Sequence, residues 1–506
     1  MKIFKSKKII NFDQAKNLFR IISKNKTVVH CHGVFDLVHP GHFRHFDFCK
    51  SKGDILVVSL TSDKFIQKGL YRPLIPENLR ARNLAALEIV DYVIIDREKY
   101  PYQLIKNIQP AFFAKGLEYS SMKNLLTIEE KKAVEKNGGK MLFSPGDTVF
   151  SSTKIIKDLN PSFTYEKLKL YLENTDINLN DIEKTIYSMK NIKIHVIGDL
   201  IVDTISNCNV IGGLHKSPTL SVAINNNFNY VGGAGVVAKH FASISNNVSL
   251  TTLIGNDALG KFALKDLKKH KIKINFMTEK NRVTTNKNSF FANKHKLLKV
   301  DKVNNENINE TTIDFIKKCI KENKADIVVF SDFRHGIFNK NSIPIFTKNI
   351  NKKSFKVADS QVASRWGNIL DFQNFDLITP TEKEARFSLR EQDLPIRPLI
   401  NDLITKCNSK NAILKLGEKG LIALNTARKD YISLDPVVDN LVDANGSGDA
   451  LLAFASLTLF KTKSLILSSL IGIIAASCKC EYEGNKPLSI KELLVKIMKI
   501  KKTLNL

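Results

Sequence analysis

The sequence of 506 residues has no apolar stretch long enough to cross a lipid bilayer. Its longest nearly apolar run, 465–478, is shorter than the roughly 20 residues that a spanning helix needs, and it contains serine and glycine. This run therefore predicts a buried helix of a globular domain. The amino-terminal segment is basic but lacks an apolar core of signal-peptide length. We accordingly expect a cytoplasmic protein with no membrane partner.

Cysteine is also scarce. The chain has seven cysteines, an odd number, and no two of them are arranged as C-x-x-C. This pattern argues against a disulfide framework and against a cysteine-rich zinc site, so we interpret the cysteines as reduced thiols. We predict no residue that acts as a direct ligand of a structural metal ion.

Acidic residues are few relative to basic ones. The chain has 50 Asp and Glu against 77 Lys and Arg, which gives a formal net charge of +27. The lysines are spread over the whole length, without a long basic arm or an arginine–aromatic stripe. A general compositional bias explains this charge better than a nucleic-acid groove, so we expect no nucleic-acid partner. The positive potential would attract small anionic substrates.

The length predicts two or three domains. Strands and helices alternate from about residue 27, and a second alternating series starts at 192–199. Such alternation predicts two α/β domains, each with a doubly wound parallel sheet. The intervening stretch is polar and is interpreted as a partly helical linker. The predicted boundaries are a first domain at 1–159, the linker at 160–190 and a second domain at 191–506.

Short β-rich runs mark the predicted strands. In the first domain they are 27–32, 54–60, 92–96, 111–115 and 140–144. In the second domain they are 192–199, 248–255, 326–332, 355–360, 376–380 and 412–417. A last helix of the first domain is expected after Ser152.

The stretch VDANGSGDALLAFA (442–455) indicates an anion site. Three small residues, Gly446, Ser447 and Gly448, precede Asp449 and an apolar segment that predicts a buried helix. The free N–H groups at the start of that helix would face an anion on the turn. A carboxylate beside that anion is electrostatically unfavourable, which indicates a chemical role. That role would be to take a proton from a hydroxyl that attacks phosphorus. The alternative is a glycine-rich loop with Asp449 as a helix cap.

The stretch HGVFDLVHPGHFRHFDF (32–48) belongs to the part of the chain richest in histidine. Five of the eleven histidines lie between His30 and His45. A metal site is one interpretation of this stretch, because His42 and His45 could share a helical face. However, no carboxylate or thiol lies at a convincing ligand spacing from His39. We favour His39 and His42 as hydrogen-bond donors to phosphate oxygens at a strand-to-helix junction.

The pattern G-x-F-D followed by H-x-G-H resembles the nucleotidyltransferase superfamily that includes cytidylyltransferases and sugar-phosphate adenylyltransferases. The segments KGLYRP, AKGLEY and FSSTKII follow in the order of that superfamily, and the resemblance covers about residues 27–159. It implies a Rossmann-like fold with catalytic roles for His39, His42 and Lys68. It also implies nucleotide or phosphate contacts by Gly33, Phe35, Asp36, Arg72, Arg80, Lys115, Gly116, Ser152 and Thr153.

The pattern D-x-x-G-x-G-D at 443–449 resembles the signature of ribokinase-like (PfkB) sugar kinases, which carry a small β lid. The resemblance implies that Asp449 is the catalytic base and that the turn holds the transferring phosphoryl group. On the nucleotide side it implies Glu384, near Mg²⁺, together with Lys415, Gly417, Gly420, Gly446, Ser447 and Gly448. On the sugar side it implies Asp199, Asp203, Lys216, Gly232, Gly233 and Asp332.

Within that family, HKSPTLSV, KLLKVD and SDFRHG resemble segments of the heptose-phosphate kinase branch. The combined chain resembles the bifunctional enzymes of ADP-heptose synthesis for lipopolysaccharide. Those enzymes commonly place the kinase first, whereas here the transferase leads. Thr381 stands where asparagine is usual, and Arg334 where glycine is usual. Lys216 replaces a lid arginine and cannot form a bidentate phosphate clamp.

The resemblance implies two reactions that use Mg²⁺. The kinase would move the γ-phosphoryl group of ATP to the anomeric hydroxyl of a heptose 7-phosphate. The transferase would join a sugar 1-phosphate to a nucleoside monophosphate from ATP, with CTP as the other candidate. Two alternatives are another sugar or polyol phosphate with CTP, and a non-catalytic regulator built on these domains; the retained His39, His42 and Asp449 argue against the regulator. The assembly stays open between a monomer and a homodimer.

Overall fold

A computed structural model describes ten ranges of the chain: 6–66, 71–116, 119–120, 125–144, 164–175, 177–213, 220–293, 295–361, 368–427 and 431–504. The chain forms two compact units, Met1–Phe163 and Thr164–Leu506, called here the N-terminal and C-terminal units. Four predicted site residues lie outside the described residues: Lys68, Ser152, Thr153 and Lys216. The helix expected after Ser152 also lies outside them.

The N-terminal unit contains a six-stranded parallel sheet of order β1-β4-β3-β2-β5-β6. Its strands are β1 (Ile9–Ile10), β2 (Val28–Gly33), β3 (Ile55–Thr61), β4 (Tyr92–Asp96), β5 (Phe112–Gly116) and β6 (Lys140–Ser144). Its described helices are α1 (Phe12–Ile22), α2 (Pro40–Lys50), α3 (Glu77–Ala85), α4 (Tyr102–Ile108) and α5 (Leu125–Glu135). The chain reverses its direction across the sheet between β2 and β5, and ligands of such sheets bind beyond the strand ends at that reversal.

The C-terminal unit contains a nine-stranded sheet of order β11-β10-β7-β14-β15-β16-β17-β18-β19. Its strands are β7 (Lys193–Gly198), β10 (Asn247–Leu253), β11 (Lys273–Met277), β14 (Ile327–Asp332), β15 (Phe355–Ser360), β16 (Leu377–Ile378), β17 (Asn411–Lys415), β18 (Leu421–Asn425) and β19 (Tyr431–Leu434). The pairs β17–β18 and β18–β19 are antiparallel, and the other pairs are parallel. The expectation of parallel sheets in an α/β arrangement is confirmed.

A second, four-stranded sheet of the C-terminal unit has the order β13-β12-β8-β9. Its strands are β8 (Leu200–Gly213), β9 (Leu220–Gly233), β12 (Thr285–Ala292) and β13 (His295–Lys302). β8 follows β7 after a single residue, and β9 leads directly into a helix, so this small sheet is attached at the carboxyl end of β7. It corresponds to the predicted β lid.

Helices surround the larger sheet of the C-terminal unit. They are α6 (Thr164–Thr175), α7 (Leu179–Tyr187), α8 (Ala234–Ala242), α9 (Ala258–Lys269), α10 (Glu310–Glu322), α11 (Ser342–Asn349), α12 (Glu382–Leu389), α13 (Ile396–Lys406), α14 (Ser447–Thr462), α15 (Leu465–Lys479) and α16 (Ile490–Leu504). α14 and α15 are apolar on nearly all sides and pack in the core. The buried helix predicted at 465–478 is therefore confirmed as α15.

The stretch interpreted as a partly helical linker contains two helices, and both belong to the C-terminal unit. Residues 160–163 and 176 lie outside the described part, and Thr164–Thr175 and Leu179–Tyr187 form α6 and α7. Leu168 and Leu172 of α6, and Ile182 and Ile186 of α7, are buried in the main apolar cluster of the C-terminal unit. Although polar residues are abundant in this stretch, it also contains apolar residues spaced four positions apart. This spacing gives each helix one buried face.

Two further observations bear on the sequence expectations. Among the residues described, no helix combines the length and apolar character required to cross a bilayer. All seven cysteines are unpaired by disulfides.

Two candidate active sites

The glycine-rich turn of the C-terminal unit begins α14. Gly446 is its N-cap residue and has a φ of 75°, a conformation that glycine adopts without strain. A Cβ atom at this position would lie 2.6 Å from Asn485 Oδ1, so a larger residue would collide with that side chain. The turn is also anchored through Asp443, whose Oδ2 accepts a hydrogen bond from the Gly484 amide at 3.1 Å. The first N–H groups of α14 are thus held at a fixed position beside the residues that follow α15.

Asp449 lies in the first turn of α14, next to a buried ion pair. The Lys415 Nζ atom is 3.0 Å from each oxygen of Asp359, and a Cβ atom at Gly448 would lie 3.5 Å from that same Nζ. Burial and the negative charge of Asp359 raise the pKa of Asp449 to about 7, while Lys415 acts in the opposite direction. Asp449 can therefore exchange a proton near neutral pH, which suits a general base.

Glu384 completes this group of charges. It is buried in the first turn of α12, where its Oε2 accepts the Thr381 amide at 2.7 Å, and the Thr381 hydroxyl caps the helix in return. Burial raises the pKa of Glu384, and the positive charge of Lys415 opposes this shift. Thr381, which stands where the family resemblance leads us to expect asparagine, therefore serves as a helix cap. Three carboxyl groups share one lysine here.

The predicted sugar ligand Asp203 lies close to the turn. Its Oδ2 accepts a hydrogen bond from Asn485 Nδ2 at 3.2 Å, and Asn485 in turn faces Gly446. A side chain at Gly232 would collide with the same Asp203 oxygen, so the glycine leaves the space that this carboxylate occupies. Burial raises the pKa of Asp203, and Lys287 opposes the shift. The structure thus brings Asp203, Gly232 and the glycine-rich turn into one region.

Asp199 has a supporting role in the structure. Its Oδ2 accepts the amides of Phe333 and His335 at 3.1 and 3.2 Å, and its Oδ1 accepts the amide of Ile337 at 3.3 Å. Gly233, with a φ of 57°, lies so close to the Asp199 carbonyl oxygen that a Cβ atom would collide with it. These contacts fix the turn after β14, so direct sugar contact by Asp199 stays a prediction.

Asp332, the other predicted sugar ligand on β14, is fully buried. Its Oδ2 lies 2.9 Å from Arg334 Nε and accepts the Ser360 hydroxyl at 2.8 Å. Burial raises the pKa of Asp332 to about 7, an effect that Arg334 opposes and Asp199 reinforces. Arg334 has a φ of 63°, which is consistent with the glycine expected there. In this structure Asp332 holds Arg334, and a sugar contact by Asp332 stays a prediction.

The predicted nucleotide-side glycines lie in the turn between β17 and β18. Gly417 begins a short 3₁₀ helix, Gly417–Lys419, and Gly420 ends it. The Leu416 amide donates to the Gly420 carbonyl at 2.8 Å, which closes the turn directly after Lys415. The turn is therefore at the same strand end as the ion pair with Asp359.

In the N-terminal unit, His39 and His42 stack at the start of α2. His39 is the N-cap residue, and its Nδ1 accepts the Gly41 amide at 3.1 Å. His42 Nδ1 accepts the His39 amide at 3.3 Å, and the two ring centroids are 3.8 Å apart. Because each Nδ1 accepts an N–H, the neutral rings carry their proton on Nε2. Burial lowers the pKa of His39, with a further contribution from Arg44, which favours this neutral form.

Gly33 and Phe35 form one side of the same junction. A Cβ atom at Gly33 would lie 3.0 Å from the Phe35 ring, so the absence of a side chain leaves room for this ring. Phe35 contacts the His42 ring edge-on, with the centroids 5.2 Å apart. The glycine thus supports the histidine pair through Phe35, and a direct nucleotide contact by either residue stays a prediction.

Asp36 is buried beneath the segment that carries Arg72. Its Oδ2 accepts Arg72 Nε at 2.8 Å and the Leu74 amide at 3.0 Å, and its Oδ1 accepts the Ile75 amide at 2.8 Å. The Asp36 side chain has no solvent exposure. Asp36 therefore orients Arg72, the residue whose predicted role is phosphate binding.

Arg80, predicted to contact phosphate, is completely buried. It donates to the carbonyl oxygens of Val34, Thr61 and Ile75, and it pairs with Asp63 at 2.7 Å. The structure gives Arg80 the role of joining the loops that follow β2 and β3. A phosphate contact would require these hydrogen bonds to be exchanged.

Lys115 and Gly116 end β5, beside β2. Lys115 forms an ion pair with Glu130, and its Nζ lies 4.7 Å from the centroid of the Tyr119 ring. Nearby on β2, His32 donates or accepts hydrogen bonds with the hydroxyls of Ser59 and Thr61. Burial, and secondarily the charge of Lys115, lower the pKa of His32 to about 3, so this histidine is neutral.

The sequence analysis overlooked three residues of the C-terminal site: Asp359, Asn485 and Lys479. Asp359 is the last residue but one of β15, and a carboxylate near the carboxyl end of a buried parallel strand was a recognisable signal. Asn485 and Lys479 approach the turn at Gly446 from the end of α15, and no local pattern marks them.

Comparison with known proteins agrees with this two-part organisation. The model of the pfkB family of carbohydrate kinases matches residues 191–491, and the model described as cytidylyltransferase-like matches residues 30–158. The chain is 41% identical over 119 residues to the bifunctional protein HldE of Campylobacter fetus, which covers 23% of this chain and 25% of that protein. It is 26% identical over 316 residues to the bifunctional protein HldE of Sulfurimonas denitrificans, which covers 60% of this chain and 63% of that protein. The chain thus spans from about a quarter to less than two thirds of the length of these curated relatives.

Solved structures resemble the larger part of the chain. Phosphofructokinase-2 from Escherichia coli in complex with potassium has a TM-score of 0.51 at 15% identity and covers 61% of this chain and 99% of its own. The same enzyme in complex with substrates and products has a TM-score of 0.51 at 14% identity, covering 61% and 100%. At these identities the likeness shows the fold alone. Because the pfkB model matches more than half of the sequence, the chain belongs to the pfkB family of carbohydrate kinases, and it carries a cytidylyltransferase-like domain ahead of the kinase domain.

Proposed function

We propose that this chain is a bifunctional enzyme that phosphorylates a sugar phosphate and transfers a nucleotidyl group to a sugar 1-phosphate. The favoured kinase substrate is D-glycero-D-manno-heptose 7-phosphate, phosphorylated at C1 by ATP. The favoured product of the second reaction is an ADP-sugar for surface glycan synthesis. The observation that carries the kinase proposal is Asp449, a carboxyl group with a pKa of about 7 in the first turn of a helix that begins at a glycine-rich turn.

The kinase reaction follows from this arrangement. The sugar hydroxyl attacks the γ-phosphorus of ATP, its proton moves to Asp449, and the bond to the bridging oxygen breaks to release ADP. The N–H groups at the start of α14 stabilise the transferring phosphoryl group, because they point at an anion without reorganising. Asp203 and Asn485, which lie beside the turn, would position the sugar.

The carboxylates around Lys415 supply oxygen atoms of the kind that a divalent cation prefers. Asp359, Glu384 and Asp449 oppose a single lysine, so the group carries excess negative charge when it is ionised. Oxygen ligands of this kind suit Mg²⁺. Glu384 and Asp359 would face the Mg²⁺ that accompanies the nucleotide. Bound there, Mg²⁺ would neutralise phosphate charge.

For the nucleotidyl transfer, an oxygen of the sugar 1-phosphate attacks the α-phosphorus of the nucleotide, and pyrophosphate leaves. His39 and His42 carry their protons on Nε2, which makes them donors for phosphate oxygens as charge develops. Arg72, oriented by Asp36, would add a positive charge. We propose no covalent intermediate.

The test is to supply each substrate separately to the full-length chain and identify the products by mass spectrometry. With Mg²⁺ and ATP, heptose 7-phosphate should become a 1,7-bisphosphate. With heptose 1-phosphate, ATP should yield an ADP-sugar and pyrophosphate, and CTP is tested in parallel because the matching family model is cytidylyltransferase-like. Other sugar and polyol phosphates form the comparison panel. Absence of phosphoryl transfer to every sugar offered, from a folded chain, would contradict the kinase proposal.

A further inference from the structure

Two thiols and an imidazole lie close together in the N-terminal unit, between strand β2 and helix α2. Cys31 lies in β2, and His45 and Cys49 lie one helical turn apart in α2. One ligand atom from each of these three residues lies within 4.8 Å of the other two. Cys31 and Cys49 are fully buried, whereas His45 is partly exposed.

The contacts of His45 determine which ring nitrogen faces the sulfur atoms. His45 Nδ1 lies 2.8 Å from the Ser144 hydroxyl, and that hydroxyl donates to the Lys115 carbonyl oxygen at 3.4 Å. With its proton directed to Lys115, the Ser144 oxygen accepts from Nδ1–H of His45. The lone pair is then on Nε2, which lies 3.7 Å from Cys49 Sγ. Metal-binding histidines are usually oriented in this way by an oxygen at the other ring nitrogen.

The other fully enclosed thiols of the described chain have a different environment. They donate to backbone carbonyl oxygens: Cys208 to Ser206 at 3.5 Å, Cys407 to Ile369 at 3.6 Å and Cys478 to Glu492 at 3.7 Å. Cys31 and Cys49 instead hydrogen-bond to each other, and Cys49 contacts His45. A soft-ligand set is therefore assembled here and is absent around those three cysteines.

We propose that Cys31, His45 and Cys49 bind a Zn²⁺ ion through two sulfur atoms and one nitrogen. Binding would release the two thiol protons, and the two thiolates would balance the charge of the cation, which a buried site requires. Zn²⁺ takes four ligands in such sites, and we expect water as the fourth. The ion would join β2 to α2, the helix that carries His42, and would thus stiffen the support of the histidine pair. This proposal departs from the sequence expectation that the chain has no metal ligand.

The test uses Co²⁺ as a spectroscopic probe in the full-length chain, after treatment with chelator and reductant. We expect one equivalent of Co²⁺ to produce thiolate-to-cobalt charge-transfer absorption, and Zn²⁺ to displace it. His45→Gln and Cys49→Ser should abolish this absorption, whereas Cys407→Ser, a matched buried control, should retain it. Ser144→Ala removes only the orienting hydroxyl and should weaken binding by about 10–100-fold.

Folding is followed independently by circular dichroism and thermal melting. Zn²⁺ should raise the melting temperature of the parent and of Cys407→Ser, but not that of folded His45→Gln. Because His45 is partly exposed, this variant keeps the test valid if Cys49→Ser does not fold. No charge-transfer band with excess Co²⁺, or an equal band in His45→Gln, would overturn the proposal. Formation of a Cys31–Cys49 disulfide that an added oxidant drives equally with and without Zn²⁺ would also overturn it.

Discussion

Lys415 is held between both oxygens of Asp359, each 3.0 Å from its Nζ, at the point where β17 ends beside the glycine-rich turn. This ion pair links a strand end to the residues that begin α14. Burial opposes the charge of Lys415, yet the carboxylates of Asp359, Glu384 and Asp449 raise its pKa. The lysine therefore stays protonated and sets the electrostatic environment of the proposed base.

The first prediction concerns Asp449→Asn, which preserves size but cannot accept the sugar proton. Sugar-dependent ATP consumption should fall by roughly 10²–10⁴-fold, the usual contribution of a positioned base. ATP affinity should change little or increase, because a negative charge near the phosphates is removed. A coupled ADP assay and a nucleotide titration measure these two quantities.

Two controls separate this result from a structural effect. Asp314→Asn makes the same change on an exposed face of α10 and should be silent. Nucleotidyl transfer from supplied sugar 1-phosphate should persist in Asp449→Asn. Asparagine also suits the start of a helix about as well as aspartate, so a purely structural role of Asp449 in the first turn of α14 would leave kinase turnover unchanged. That outcome would falsify the assignment of Asp449 as base.

The second prediction concerns pH. The pKa of Asp449 is raised to about 7, and only its deprotonated form accepts a proton. The kinase rate at saturating ATP should therefore rise with pH through about 7 and level off above it. Initial rates measured between about pH 5.5 and 8.5 give this profile, because the range extends roughly one pH unit or more to either side of the pKa of Asp449. A rate that is already at its plateau at the acidic end of this range, in a chain that remains folded, would contradict an elevated pKa.

The sequence predicted the bounds of several strands, but it did not predict the side-chain contacts within the two candidate sites. β6 and β15 were predicted with their observed bounds, 140–144 and 355–360, because each is a short β-rich run between polar segments. The contacts of Arg80 could not be predicted, since its carbonyl partners come from three separate places: the loop after β2, the end of β3 and the segment before α3. Asn485 was overlooked for the same reason: its proximity to Gly446 exists only in the folded chain. The motifs predicted which segments form the two candidate sites, but they did not reveal that Asp36 and Arg80 hold other protein groups.

The third prediction tests the influence of Lys415 on Asp449. Lys415→Met removes the positive charge that lowers the pKa of Asp449. The acidic limb of the kinase pH profile should consequently move to higher pH, and the maximal rate should fall because phosphate charge is less well balanced. Lys461→Met provides the matched control, because it removes an exposed lysine of α14, the helix that carries Asp449. This change should leave the pH profile unchanged. An unshifted limb in Lys415→Met would show that the lysine does not act on the base.

The fourth prediction separates the two functions of His39. Asparagine at this position can still accept the Gly41 amide as an N-cap, but it lacks the Nε2–H donor. His39→Asn should therefore melt near the parent temperature and lose about 10²–10³-fold in nucleotidyl transfer, the effect of removing one transition-state donor. His39→Ala should lose the cap as well, which costs about 1 kcal/mol of stability.

The kinase reaction serves as the internal control for both His39 variants and should continue at the parent rate. Pyrophosphate release measures the transferase. If His39→Asn releases pyrophosphate as fast as the parent, the histidine acts only as a cap. His42→Ala is expected to abolish nucleotidyl transfer in the same assay, by removal of the second ring of the pair.

The fifth prediction concerns the boundary of the kinase domain. A fragment 164–506 should fold and phosphorylate sugar, because it retains the C-terminal unit whole. A fragment 188–506 lacks α6 and α7 and uncovers the apolar surface on which Leu168, Leu172, Leu179, Ile182 and Ile186 pack.

Burial of five such side chains contributes roughly 8–15 kcal/mol, as much as the whole stability of many domains. The shorter fragment should therefore aggregate. A point test uses Ile182→Asp in 164–506, which places a charge in the core and should abolish cooperative melting; Glu183→Ala, at the adjacent exposed position, should not. Thermal melting and size-exclusion chromatography distinguish these outcomes. A stable and active 188–506 fragment would contradict this prediction and would show that α6 and α7 act only as a linker.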